Sequence, residues 1–77
     1  MTMVRKFEIN VPNRVSTQTE SEATVALIDL DGEKFVQIDS VGSKDRKFVG
    51  KRSQSMRLSK TAFEQLVRLG TQHFTQG

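Results

Sequence analysis

An α+β domain is the fold class the sequence predicts: a curved four-stranded antiparallel sheet followed by one C-terminal helix, in the order β-β-β-β-α. Three observations predict it. Residues 3–11 and 52–58 alternate apolar and polar side chains with the period of a half-buried strand. Asp31-Gly32 sits between two β-rich runs, where it suits the two positive φ angles of a type I′ hairpin. The last apolar residues recur at helical spacing.

The first strand is expected over residues 3–11, with Met3, Phe7, Ile9 and Val11 sharing one face with Arg5, and Val4, Lys6, Glu8 and Asn10 on the other. Pro12 ends it, because proline donates no ladder hydrogen bond. Residues 13–22 are polar and read as an exposed loop. Residues 23–30 (Ala-Thr-Val-Ala-Leu-Ile-Asp-Leu) are apolar and β-branched, and form the second strand. Across the Asp31-Gly32 turn, residues 33–41 return as the third, with Val36 and Ile38 on one face.

Gly42 to Gly50 is a basic connection holding Phe48 and Val49. In the fourth strand, residues 52–58, Met56 and Leu58 point one way and Ser53, Ser55 and Arg57 the other. Ser59 suits a helix N-cap, with Thr61 and Glu64 offering a competing capping box two residues later. Either places a helix at about 60–74. Phe63, Leu66, Val67, Gly70 and Phe74 make one continuous stripe on it, flanked by Ala62, Leu69 and His73. This helix is the only element available to cover a face of the sheet.

Seventy-seven residues make a single domain, 1–77. Its large apolar residues are eight Val, three Ile, five Leu, five Phe and three Met, a marginal core for one isolated copy. The absence of cysteine excludes disulfides and thiolate metal sites and fits a reducing cytoplasm. Neither a membrane-spanning apolar run nor a secretory signal is present in the sequence. A soluble, cytoplasmic protein is expected.

The net charge of +3 is unevenly spread. Residues 1–14 sum to +2, residues 15–43 to −5, residues 44–60 to +6, and residues 61–77 to zero. A basic block in an otherwise acidic or neutral chain points to a polyanionic partner, the plain alternative being a solvated basic loop. Asp29, Asp31, Glu33 and Asp39 lack the ligand spacing of a calcium loop and are expected at a turn, in water. His73 is the only histidine and cysteine is absent, so a zinc site lacks further nitrogen or sulfur ligands. A triad would need this one histidine beside a serine and an acid, on a helix end that frays, and an exposed or helix-flanking histidine is expected. No cofactor, no metal and no enzymatic activity are expected.

There remain Lys44, Arg46, Lys47, Lys51, Arg52, Arg57 and Lys60, interleaved with Ser43, Phe48, Ser53, Gln54 and Ser55. Long cations neutralise phosphates, hydroxyls and amides add short-range hydrogen bonds, and an aromatic ring offers a surface on which an unpaired base stacks. On a strand and its preceding loop, these types suit a single strand better than a duplex, whose readers present a basic helix to the major groove. Phe48 reads equally well as a core residue.

The second half resembles the transcriptional coactivator (positive cofactor four) family of single-stranded DNA-binding domains. The resemblance runs from Phe35-Val36-Gln37-Ile38-Asp39, through Gly50-Lys51-Arg52, to Met56-Arg57-Leu58-Ser59 and Phe63-Glu64-Gln65-Leu66. It covers about half the chain. Phe63 stands where that family often has tryptophan, and residues 52–56 are about two residues longer than its pattern, which implies a bulge or a shifted strand. The resemblance implies a homodimer joined through the C-terminal helices, with two sheets forming a basic channel. The expected function is non-enzymatic binding of single-stranded nucleic acid, DNA rather than RNA. Lys44, Arg46, Lys47, Lys51, Arg52 and Arg57 are expected on phosphates, with Phe48 stacking. The alternative is a protein-interaction module whose basic loop docks on an acidic partner. A hydrolase using the hairpin carboxylates stands well behind both.

Overall fold

The structure, a computed structural model, describes residues 2–41 and 52–76. Four strands, β1 (Thr2–Val4), β2 (Ala23–Leu30), β3 (Glu33–Val41) and β4 (Arg52–Ser59), precede one helix, α1 (Lys60–Thr75). They form a single open sheet in the order β1-β4-β3-β2. The α+β class and the strand and helix order follow the sequence-based expectation.

The β2–β3 hairpin has the predicted register, from Leu30 opposite Glu33 to Ala23 opposite Ser40. Asp31 (φ 51°) and Gly32 (φ 79°) both take the positive φ of a type I′ turn, whose twist matches the strands it joins. β4 pairs antiparallel with β3. Ser40 faces Gln54 and Val41 faces Arg52, so β4 carries one extra residue at Ser53, a β-bulge.

β1 departs from expectation twice. It is three residues long rather than nine, and it runs parallel to β4, Thr2 to Val4 facing Met56 to Leu58, so the sheet is mixed. The cause is local. Phe7 N–H donates to Gln65 Oε1 (2.8 Å), and Gln65 Nε2 donates to Phe7 O (2.8 Å). A glutamine side chain on the helix thus takes the backbone groups that a longer strand would have offered to a neighbour. β1 and β2 lie at opposite edges of the sheet, so residues 5–22 span it without forming strand or helix.

Period-2 alternation sorts the sheet into two faces. Val36, Ile38, Met56 and Leu58 share one with Val25 and Leu27; Phe35, Gln37, Asp39, Ser55 and Arg57 share the other. Among the described residues, the buried apolar side chains are Phe35, Leu58 and Ala62 alone. α1 is capped by Ser59, whose Oγ accepts from Ala62 N–H at 3.2 Å, so the earlier of the two expected caps is the one used. No linker residue separates β4 from α1. The chain therefore has no connection in which to fold back, and the helix does not blanket the sheet as expected. Its first turn meets the sheet through Ala62 and Phe63, and Phe63 walls an apolar groove of about 370 Å³ with Leu27, Val36 and Leu58. The side turned to its own chain is Ala62, Gln65 and Leu69, while Phe63 (42 %), Leu66 (40 %), Val67 (48 %) and Phe74 (86 %) are exposed.

Candidate nucleic-acid interface

Gly42 to Lys51 lies outside the described residues, and with it Lys44, Arg46, Lys47, Phe48 and Lys51. Arg52 opens β4. Arg57 is the expected contact whose side chain is placed, and it is not a free surface cation. Its Nε and Nη2 both donate to Gln37 Oε1, at 3.0 and 2.8 Å. Gln37 Nε2 in turn donates to both carboxylate oxygens of Asp39, at 3.0 and 3.2 Å, and Ser55 Oγ donates to Asp39 Oδ1.

Strand register brings these groups together. Gln37 faces Arg57 and Asp39 faces Ser55 directly across the β3–β4 ladder, and alternation puts all four on the same face. Gln37 and Asp39 are buried, and among the described residues no buried side-chain nitrogen or oxygen lacks a partner. The network is therefore satisfied, and it fixes Arg57 in one rotamer. Asp39, expected in water with the hairpin acids, is instead the buried acceptor at the root of this chain of bonds. It sits six residues beyond the start of β3, away from the turn.

The guanidinium of Arg57 lies 5.8 Å from the centroid of the Phe35 ring, and that of Arg5 lies 5.9 Å from the same centroid. Both are within cation–π range. Arg5 is held from the other side by Glu33, with Nη1 2.8 Å from Oε2 and Nη2 3.4 Å from Oε1. This hydrogen bond, reinforced by the charge, lowers the Glu33 pKa and raises that of Arg5. Arg57 faces a neutral amide instead, and no carboxylate pairs with it among the described residues.

The hairpin acids are thus engaged structurally, Glu33 by Arg5 and Asp29 by Lys34 at 2.9 Å. Among the described residues no three His, Cys, Asp or Glu side chains are grouped to hold a metal. No helix there is long and apolar enough to cross a membrane.

Sequence reasoning missed Arg5, Phe35 and Gln37 as parts of one site. The row Phe35-Gln37-Asp39 was visible as alternate positions of β3. Arg5 carries no local signal, because 28 residues separate it from Glu33. Comparison with protein-family models, curated proteins and solved structures found no match.

Proposed function

We propose that this protein is a non-enzymatic single-stranded nucleic-acid-binding module of the cytoplasm, acting on DNA as a homodimer joined through α1. The observation that carries the reading is Arg57 on the polar face of β4, held by a neutral amide and, among the described residues, paired with no carboxylate. Arg57 is half-buried, bonded to Gln37 and laid on Phe35, so it meets a phosphate without first losing side-chain freedom. β4 leads directly out of the basic stretch that contains Lys44, Arg46, Lys47, Lys51 and Arg52. From Arg52 to Arg57 is roughly 17 Å of strand, so cations at both ends would follow one nucleic-acid backbone. The resemblance to the coactivator domains points the same way.

Dimerisation is supported by the opposite surface. Phe63, Leu66, Val67 and Phe74 on the helix continue into Leu27, Val25 and Met56 on the sheet, all exposed in a single copy. A contiguous apolar surface of this kind marks an association site. The polar face that bears Arg57 and the apolar face are opposite faces of the sheet, so a dimer through the apolar one would leave the Arg57 face open.

The direct experiment is competition between single- and double-stranded oligonucleotides of one sequence for the purified protein. Preference for the single strand, weakened by Arg57→Ala, is expected. Equal or absent binding of the two forms would favour the docking of the basic loop on an acidic protein instead.

A further inference from the structure

Arg5 and Arg57 approach one ring, which places their guanidiniums no more than about 12 Å apart. The two are held differently. Arg57 is fixed by a neutral amide within a half-buried network. Arg5 is held by a carboxylate in the open, with side chains 59 % and 47 % exposed for Arg5 and Glu33. An exposed ion pair of this kind contributes little and is readily exchanged. Its two N–H···O bonds have the fork geometry with which a guanidinium also grips a phosphate.

We infer that Arg5, Phe35 and Arg57 form a phosphate-binding seat for the nucleic-acid backbone, and that Glu33 is its built-in competitor. In the free protein Glu33 holds Arg5 above the ring. A backbone phosphate displaces the carboxylate, and Arg5 and Arg57 then grip the same or successive phosphates of one strand. Arg57 is the permanent half of the seat and Arg5 the exchangeable half. Phe7 and Gln65 tether the segment carrying Arg5 to α1, so Arg5 stays within reach while its partner changes. This inference rests on the nucleic-acid reading and adds to it a contact residue and an internal regulator of affinity.

The test is a double-mutant cycle, read as the dissociation constant of a fluorescently labelled oligothymidine at low salt. Arg5→Ala should weaken binding, and Glu33→Gln should tighten it about threefold by releasing Arg5. In the Arg5→Ala background, Glu33→Gln should change nothing. Asp29→Asn, which removes an equally exposed hairpin charge paired with Lys34, serves as the charge control and should shift binding less than Glu33→Gln. A cooperative melting transition well above the assay temperature shows that each variant folds. Equal tightening by Glu33→Gln with and without Arg5, or by Asp29→Asn, overturns the inference and leaves simple charge repulsion. A parent protein that binds no strand at all overturns the nucleic-acid reading itself, and is told apart because it fails before any variant is made.

Discussion

Single residues set the turn, the cap and the orientation of the basic side chains. Gly32 has open space where a Cβ would go, yet its φ of 79° strains any L side chain. Gly32→Val should therefore destabilise the fold by about 1–2 kcal/mol, seen as a lower denaturant midpoint. An unchanged midpoint would contradict the hairpin register. Ser59→Ala removes the acceptor for Ala62 N–H and should cost about 1 kcal/mol in the same measurement. Acidification acts on Glu33. Its pKa is lowered in the folded state, so the stabilisation from its bond to Arg5 is complete above the ordinary glutamate value and is lost as pH falls through the lowered one. Melting midpoints of the parent and Glu33→Gln should accordingly converge in acid and differ slightly at neutral pH. The hairpin and the cap could be read from the chain because each depends on neighbours in sequence. The Arg5–Phe35–Arg57 cluster could not, since the sheet assembles it from three distant segments.

At the scale of elements, β2, β3 and α1 form where their patterns place them, while β1 does not. Alternation over residues 3–11 promised a long strand, and alternation is necessary for a strand but does not supply a neighbour for its backbone. Here Gln65 takes the Phe7 backbone groups, and Ile9 and Val11 are left exposed. The helix shows the converse. Its apolar stripe was plain in the sequence, but the direct junction at Ser59–Lys60 turns that stripe outward, a consequence of a missing linker rather than of any side chain. Two substitutions separate the sides of α1. Leu66→Glu lies on the exposed stripe and should convert the proposed dimer to monomer in sedimentation, with little loss of helix. Leu69→Glu falls on the half-buried side facing the chain's own segments, and should lower the melting midpoint as well. If both variants sediment like the parent, α1 is not the dimer contact.

The whole molecule is thin and open. Its principal extents are 40 × 36 × 19 Å and its radius of gyration is 14.7 Å, against roughly 11–12 Å for a compact chain of this length. With buried apolar side chains limited to Phe35, Leu58 and Ala62 among the described residues, a single copy has little core to hold it together. Association through the apolar face would supply the missing burial and leave the polar, arginine-bearing face free for a strand. The charge asymmetry that suggested a polyanion was readable from composition, because charge adds up without knowledge of the fold. Which cations the fold immobilises was not, and Arg57 owes that role to Gln37 and Asp39 across the ladder.

The most direct test is the salt dependence of binding to a single-stranded oligonucleotide. Four to six phosphates neutralised by the cations of residues 44–57 should give a slope of log affinity against log salt of roughly −3 to −4. Lys51→Ala with Arg52→Ala should flatten that slope by about one to two units. A parent protein whose affinity is independent of salt, or which binds neither strand form at low salt, would contradict the proposed function.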